Sequence, residues 1–239
     1  MIEAHLLKLR RRDEISAEEE EAIRGAIVGV RDYRADEVAI RAHVELTTST
    51  LLLEGWMART KDLKNGQRQV TELHVPGDFA DLHSLTLKRL EHDVIALTPC
   101  KVAIASHAHL RQITERFPHL TRVYWFSTNL DAAIHREWTV SLGARSALER
   151  MAHFFCELRI RLDIIGMVQD NSFEFPLTQA DIAECVGITG VHVNRMLQDL
   201  RRRGLIHVEG RRATIRDTKG LEQLADFDDS YLYLERKDR

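Results

Sequence analysis

Hydrophobic and polar positions follow two different patterns along the chain. Apolar residues spaced three or four apart predict helices over residues 1–25, 110–117, 119–142 and 146–165. Between residues 36 and 106, short runs rich in Val, Ile, Leu and Thr are separated by turn signals, of which Asn65-Gly66 is the strongest for a hairpin. Short strands at this spacing predict an antiparallel sandwich or barrel, so the expected fold class is α+β. The predicted strands cover residues 38–44, 49–57, 69–74, 93–97 and 100–106.

The predicted helix at 119–142 contains neither Pro nor Gly, and Gly143 is expected to end it. At about 1.5 Å per residue it would be about 35 Å long, more than a small barrel covers. Its apolar stripe therefore predicts a partner, most simply the same helix of a second copy. An ordinary helix packed on its own domain is the alternative. The residues expected in the dimer interface are Leu120, Val123, Tyr124, Phe126, Leu130 and Ile134.

The segment 176–200 has the spacing of a helix-turn-helix. Thr178 is positioned to cap a first short helix. A small residue, Ala183, precedes the turn glycine Gly187 by four positions, and the β-branched Val193 follows six positions later. The small residue lets the helices cross closely, the glycine allows a positive φ, and the valine fills the angle between the helices.

The outward face of the second helix carries polar side chains that can reach base edges and phosphates. A generic helical domain, the alternative here, requires no such face. Residues 204–216 then predict a strand, a turn and a strand, forming a β-wing with a basic tip. These features together predict binding to duplex DNA. The residues expected to contact DNA are Thr178, Gln179, Thr189, Val191, His192, Asn194, Arg195, Arg201, Arg202, Arg211 and Arg212.

Charge and composition sharpen this prediction. The 239 residues carry 34 Lys and Arg against 37 Asp and Glu, a net charge of −3 that argues against a protein basic overall. Residues 176–216, however, hold seven arginines against four acidic residues, a local charge of +3. The three cysteines stand too far apart for a metal or redox pair, and no apolar run approaches the ~18 residues of a membrane span. We therefore expect a cytoplasmic protein that does not contact membranes.

The order and size of these segments, a barrel, a long helix and a winged helix-turn-helix, resemble the Crp/Fnr family of bacterial transcription regulators. The resemblance is most specific over 177–206, which include Gly187, Arg195 and the Gly204-Leu205-Ile206 run. It also includes two barrel turns, Val75-Pro-Gly-Asp-Phe79 and the segment 53–58, in which Gly55 stands at a tight turn.

This resemblance implies three parts. They are a double-stranded β-helix (jelly-roll, cyclic-nucleotide-binding-like) sensor domain over 1–118, a dimerisation helix over 119–144 and a winged helix-turn-helix domain over 145–239. It further implies a homodimer on a palindromic operator, with Arg195 in the place where the family reads a guanine. If the protein is an activator, RNA polymerase is an expected partner.

The effector cassette departs from the family pattern. Members that bind cyclic AMP supply a Glu for the ribose and an Arg-Ser pair for the cyclic phosphate, but Leu90-Glu91 stands where Arg-Ser belongs. A carboxylate there repels a phosphate, so cyclic AMP is not expected to bind. The family's iron–sulfur sensors need N-terminal cysteines, and residues 1–99 contain none. The effector is unidentified, and its pocket is expected to include Asp81, His83, Ser84, Arg89, Glu91 and His92.

The leading hypothesis is a transcription regulator that is not an enzyme and binds no metal or cofactor. Three alternatives to it stay open. One is haem, since some family members use histidine ligands and His74, His83 and His92 lie on or beside the cassette. Another is a cupin-like metal-dependent enzyme with its active site in the barrel. For that enzyme His43-Val44-Glu45 has the local motif, and the completing ligand would be His74, His83, His107 or His109. The last is a ligand-binding protein whose C-terminal domain contacts only proteins.

Overall fold

The computed structural model describes residues 1–237, so the last two residues of the predicted C-terminal domain, 145–239, lie outside the described residues. The chain begins with α1 (Glu3–Arg10) and α2 (Ala17–Gly25). The predicted helical structure over 1–25 is interrupted at residues 11–16, because Ser16 caps a new helix. Its hydroxyl accepts a hydrogen bond from the backbone N–H of Glu19, and the Glu19 carboxylate accepts one from the backbone N–H of Ser16.

The β-rich region forms two antiparallel sheets. One sheet has the strand order β1-β7-β3, and the other has the order β2-β6-β4-β5. The hairpin predicted at Asn65-Gly66 joins β4 to β5, with Met57 opposite His74 and Asp62 opposite Arg68. The elements are β1 (Ile27–Tyr33), β2 (Val38–Ile40), β3 (Thr48–Glu54), β4 (Met57–Asp62), β5 (Arg68–His74), the short helix α3 (Ser84–Leu87), β6 (Asp93–Ala96) and β7 (Cys100–Ser106).

The strands differ from the prediction at three places. β1 leaves five consecutive residues exposed, including Val28 and Val30, so its side chains do not alternate between core and solvent. The predicted strand 49–57 is split into β3 and β4 by a turn at Gly55, where a Cβ atom would lie 2.4 Å from the carbonyl oxygen of Pro99. The predicted strand 38–44 ends at Ile40.

Three helices follow the barrel: α4 (His107–Arg116), α5 (Pro118–Ala144) and α6 (Ala147–Asp163). The long predicted helix is confirmed as α5, but it continues through Gly143, because one glycine weakens a helix by only about 1 kcal/mol. The helix ends where the backbone of Arg145 becomes extended. Ser146 then caps α6 through a capping box with Glu149.

Four of the six residues predicted for the dimer interface on α5 are instead buried within their own chain. Leu120, Val123, Tyr124 and Ile134 are each at most 5% exposed, because they pack inside their own chain. The first three join a hydrophobic cluster with α1, α2 and α4, and Ile134 joins the cluster around α6. The other two predicted interface residues, Phe126 and Leu130, are partly buried within the same chain. The stripe that indicated a partner is therefore covered by the barrel, the N-terminal helices and α6.

The C-terminal region contains β8 (Ser172–Glu174), α7 (Gln179–Val186), α8 (Gly190–Arg202), β9 (Ile206–Glu209), β10 (Arg212–Ile215) and α9 (Thr218–Ala225). The predicted helix-turn-helix and wing are present, and β8 extends the wing to the order β8-β10-β9. β8 was not predicted, because three residues are too few for a recognisable pattern. One continuous hydrophobic cluster joins the barrel, α5, α6 and this region. Within residues 1–237 no helix combines the length and hydropathy of a membrane span.

Candidate nucleic-acid interface and barrel cavity

The turn between α7 and α8 is fixed by local hydrogen bonds and one glycine. The Thr178 hydroxyl accepts from the backbone N–H of Asp181 at 3.2 Å, and the Asp181 carboxylate accepts from that of Thr178 at 2.7 Å. Gly187 ends α7 with a left-handed φ of +65°. Thr189 then caps α8 by accepting from the backbone N–H of His192. The predicted caps and turn glycine are thus confirmed, and they set the angle between the two helices.

The two faces of α8 have opposite environments. Val193, Met196 and Leu200 are buried among residues of α6 and α7. On the other side, Val191 is 82% exposed. All eleven residues predicted to contact DNA are exposed, from Thr178 at the start of α7 to Arg212 in the wing. No other part of the described chain covers this surface.

Some arginines at this surface form ion pairs with carboxylates of the same chain, and others do not. Asp199 accepts hydrogen bonds from Arg202 at 3.2 Å and from Arg203 at 3.5 Å, which offsets part of their charge. Within residues 1–237 the guanidinium groups of Arg195 and Arg201 have no hydrogen bond or ion pair. These two side chains are therefore free to bind an external acceptor.

The wing presents two further arginines on a braced turn. Arg211 and Arg212 are exposed beside Gly210, which turns the chain with a φ of +58°. The strand β8 braces this ribbon, since the hydroxyls of Ser172 and Thr214 lie 2.7 Å apart. The basic tip is thus fixed relative to α8 and extends the positive surface.

A cavity of about 540 Å³ lies between the β4–β5 hairpin, the segment around α3 and one side of α5. Three of the six predicted effector residues, His83, Glu91 and His92, line it. Arg89 does not, because its side chain points to solvent beside Glu45, 3.4 Å away. The other two predicted residues, Asp81 and Ser84, are buried outside the cavity.

Asp81 and Ser84 belong to a buried hydrogen-bond network that attaches α3 to the barrel. The Asp81 carboxylate accepts from the backbone N–H of Thr50 and from the Ser84 hydroxyl. Ser84 and Ser49 both lie 3.1 Å from Nε2 of His107. Burial raises the pKa of Asp81 to about 7. These polar groups are satisfied within the protein, which explains why they do not face the cavity.

The cavity contains an ion network that the sequence pattern did not reveal. Arg59, on β4, donates through Nε to the carbonyl of Ala80 at 2.9 Å, through Nη1 to Glu72, and through Nη2 to Asp131 at 3.1 Å. The His135 ring lies 3.0 Å from the Glu72 carboxylate. Asp131 and His135 are on α5, so this network connects the barrel to the long helix.

Burial and charge act in opposite directions on these carboxyl groups. For Glu72, burial favours the neutral form, but Arg59, His74 and His135 together outweigh that effect and lower the pKa. For Asp131, burial and the negative charge of Glu72 raise the pKa to about 7 despite Arg59. The guanidinium of Arg59 is therefore already neutralised by the protein, so no free guanidinium faces a ligand phosphate. Lys61, which also lines the cavity, donates its ammonium to the carbonyl of Glu91.

Of the candidate haem and metal ligands, only His83 and His92 lie close together in the cavity. His83 and His92 line the cavity with ring centroids 5.8 Å apart, and burial lowers the pKa of His83 to about 3. His74 is buried within the barrel instead, and burial lowers its pKa to about 3. His43 and Glu45, of the possible enzyme motif, lie exposed between β2 and β3. In residues 1–237 no three metal-ligating side chains are grouped, so the cupin-like site is not assembled.

The solvent-exposed face of α5 carries a different set of residues from those predicted for the dimer interface. Trp125 is 67% exposed and Val140 is 50% exposed. Arg122, Asn129 and Arg136 are exposed on the same face, at helical spacing from them. Single exposed apolar side chains are normal on protein surfaces, but an exposed indole offers a large contact area to a partner. This face, opposite the buried stripe, is the candidate contact for a second copy.

Family models and known proteins with similar sequences agree with this architecture. Residues 30–117 match the family model of the cyclic nucleotide-binding domain, and residues 149–224 match that of the Crp-like helix-turn-helix domain. The nitrogen fixation regulation protein FixK of Bradyrhizobium diazoefficiens is 30% identical over 200 residues, 83% of this chain and 83% of that protein. The transcriptional activator protein FnrL of Cereibacter sphaeroides is 27% identical over 190 residues, 77% of this chain and 75% of that protein.

Solved structures show the same fold. FixK2 from Bradyrhizobium japonicum superposes with a TM-score of 0.75 at 23% identity, covering 82% of this chain and 96% of that one. The c-di-GMP responsive global regulator CLP of Xanthomonas campestris superposes with a TM-score of 0.65 at 16% identity, covering 84% of this chain and 100% of that one. At these identities the likeness confirms the barrel, the long helix and the winged helix-turn-helix.

Proposed function

The chain belongs to the Crp/Fnr family of DNA-binding transcription regulators, and we propose that it binds a palindromic operator as a homodimer. The open face of α8 carries this proposal, because every residue predicted to contact DNA is exposed there or on the adjoining cap and wing. Two-fold symmetry places the two α8 helices in successive major grooves, about 34 Å apart. Arg211 and Arg212 of each wing then lie beside phosphates.

The residues of α8 take different parts in recognition. Arg195 is unpaired, exposed and able to bind O6 and N7 of a guanine through two of its guanidinium nitrogens. Val191 offers a methyl contact to thymine, while Gly190 has no side chain that donates or accepts. His192 and Asn194 supply polar contacts to neighbouring base edges. Sequence is therefore read by few side chains, and DNA shape contributes the remaining specificity.

The dimer contact follows from the exposed face of α5. Its apolar residues Trp125 and Val140 find no cover within their own chain. A second copy of α5, related by a two-fold axis, packs on this exposed face and not on the buried stripe. The indole of Trp125 is then buried against the partner helix. This arrangement leaves both α8 helices on the outside, where one duplex can reach them.

We expect Arg195→Ala to lower affinity for the operator by about 1–3 kcal/mol, or about 5- to 150-fold, and to relax specificity at one base pair of each half-site. The physical reason is the loss of a bidentate contact to one base. The measurement is a fluorescence-anisotropy titration against an operator recovered from a randomised duplex pool, and against the same duplex with each base pair changed in turn.

Arg111→Ala is the matched control for that titration, because Arg111 is an exposed arginine of α4 on the barrel. Its affinity should stay within about twofold of wild type, as for an ordinary surface substitution. If Arg195→Ala binds as tightly and as selectively as this control, Arg195 does not read the operator.

The cavity between the barrel and α5 is the proposed effector site, and the residues that surround it do not fit cyclic AMP. Leu90 is only 1% exposed inside the barrel, and the Glu91 carboxylate lies 3.0 Å from the His92 ring. Arg59 is paired with carboxylates on two sides. A cyclic phosphate would meet these carboxylates without a free guanidinium to offset them. The effector is therefore of another class, and we propose no resident cofactor.

Isothermal titration with cyclic AMP should give no saturable heat, and the operator affinity of the protein should stay unchanged when cyclic AMP is added. The physical reason is that the carboxylates of Asp131 and Glu91 line the cavity and that Arg59 is already paired with Glu72. Saturable binding accompanied by a rise in operator affinity would restore cyclic AMP as the effector.

The relative FnrL is a transcriptional activator by name, which favours activation for this chain also. An activator contacts RNA polymerase, so polymerase is a proposed partner. Run-off transcription from a promoter that holds the operator distinguishes activation from repression. We assign no catalytic reaction to the protein.

A further inference from the structure

Four charged side chains form a cluster where the barrel meets α6. Asp78, in the barrel turn 75–79, accepts from Nη2 of Arg161 on α6 at 3.0 Å and also pairs with Lys8 on α1. Arg161 donates in addition to Glu157 at 3.0 Å and to the carbonyl of Leu73 at 2.6 Å. We refer to Lys8, Asp78, Glu157 and Arg161 as the interdomain ion cluster.

The interdomain ion cluster reaches beyond the barrel and α6. The Glu157 carboxylate accepts from Nε1 of Trp138 on α5 at 3.0 Å and from the hydroxyl of Tyr231, beyond α9, at 2.8 Å. Glu157 is 1% exposed and Arg161 5% exposed. The cluster therefore connects the N-terminal helix, the barrel, the long helix and the DNA-binding domain, with Glu157 and Arg161 buried and Lys8 and Asp78 partly buried.

Burial makes these contacts mutually dependent. Burial lowers the pKa of Lys8 to about 8, although Asp78 opposes that shift. For Asp78, the charges of Lys8 and Arg161 outweigh the effect of burial and lower the pKa. Removal of one charge from such a group leaves another buried without compensation, which is more costly than the loss of a surface ion pair.

Packing beside the cluster is incomplete. A cavity of about 80 Å³ lies at the same junction, lined by Lys8, Asp78 and Arg161 on one side and by Phe126 and Leu130 of α5 on the other. A void provides no contacts that resist a small rotation. The linker between α5 and α6 is also short, with Arg145 as its extended residue. Apolar packing joins the domains elsewhere, but beside this void it is interrupted, and directional polar contacts hold the two sides together there.

We propose that Asp78 and Arg161 are positioning residues, which hold the DNA-binding domain at a fixed angle to the barrel and to α5. Because α5 carries the proposed dimer contact, this angle sets the separation of the two α8 helices. The interdomain ion cluster thereby determines which spacing of half-sites the dimer accepts. This inference rests on the proposed palindromic operator.

The test substitutes Asp78→Asn, which removes the charge but keeps an oxygen that can accept from the backbone N–H of Val75, as Asp78 does at 2.9 Å. The DNA probes are the operator recovered from a randomised pool and the same duplex with one base pair inserted or removed at its centre. One base pair shifts a half-site by about 3.4 Å, so wild type should bind the altered duplexes at least about tenfold more weakly. In Asp78→Asn this ratio should fall toward one.

A merely structural role would lower affinity for all three duplexes together and leave the ratio unchanged. Asp62→Asn is the matched control, since Asp62 forms an exposed pair with Arg68 in the β4–β5 hairpin, and it should keep the wild-type ratio. If circular dichroism shows that Asp78→Asn is unfolded, Arg161→Lys, which keeps the charge but loses the forked contacts, replaces it in the same assay.

A folded variant of the cluster that retains the wild-type spacing ratio overturns the positioning role and leaves the proposed function intact. If wild type itself binds all three duplexes equally, the palindromic dimer is wrong, and the positioning role is overturned with it.

Discussion

Replacing Trp125 with Glu is expected to convert the protein from a dimer to a monomer and to lower operator affinity about 10²- to 10⁴-fold. Trp125 is 67% exposed in the N-terminal third of α5, on its uncovered face. A carboxylate there would have to be buried against the second copy without a partner, which opposes association. The monomer would then bind one half-site at a time and lose the gain from linked binding. Analytical ultracentrifugation and anisotropy titrations measure the two effects separately.

Val28→Glu provides the control for this experiment. Val28 is 54% exposed on β1, away from α5, so the same change of charge should leave the oligomeric state and the operator affinity near their wild-type values. A Trp125→Glu protein that still sediments as a dimer would show that the copies associate through another surface.

Replacing Arg59 with Met is expected to destabilise the fold by about 3–5 kcal/mol, because it leaves the Glu72 carboxylate buried without its cation. Arg59 is 2% exposed and Glu72 is 1% exposed, so water cannot reach the orphaned charge without unfolding. Methionine keeps much of the side-chain volume, which limits the contribution of a cavity. Urea unfolding followed by circular dichroism, at a fixed protein concentration, gives the free energy of unfolding.

Arg89→Met is the matched control for stability. Arg89 lies exposed beside Glu45, with both side chains more than half in solvent, so its loss should change the free energy of unfolding by less than about 0.5 kcal/mol. If Arg59→Met unfolds at the same urea concentration as Arg89→Met, the network around Arg59 does not stabilise the connection between barrel and α5.

The DNA-binding part of the molecule was predictable because its signals are local. Thr178 and Asp181 form a cap within one turn of helix, and Gly187 supplies the turn within the next few residues. The exposed face of α8 follows from helical periodicity once Val193 is placed inside. None of these inferences requires knowledge of residues distant in sequence.

The cavity residues were predictable only in part, because they come from separate segments. His83, Glu91 and His92 stand close together in the cassette, and the prediction included them. Arg59 and Asp131 are 72 residues apart and meet only when α5 packs on the barrel. Local sequence spacing does not indicate such a contact, so the sequence prediction missed the most strongly charged part of the cavity.

The burial of four predicted interface residues of α5 within their own chain has a related cause. An apolar stripe shows which side of a helix is covered, but it does not distinguish cover from the same chain and cover from a second copy. Leu120 and Val123 are buried by the N-terminal helices and α4, which the prediction did not place there. Trp125 stood outside that stripe, and only the structure shows that it is left in solvent.

The most direct test of a palindrome-binding dimeric regulator is selection of duplexes from a randomised pool by the full-length protein, followed by native mass spectrometry of the selected complex. We predict enrichment of one inverted repeat, with half-sites centred about one helical turn apart and two copies of the chain on each duplex. Enrichment of no sequence, or of a single half-site occupied by one copy, would contradict it.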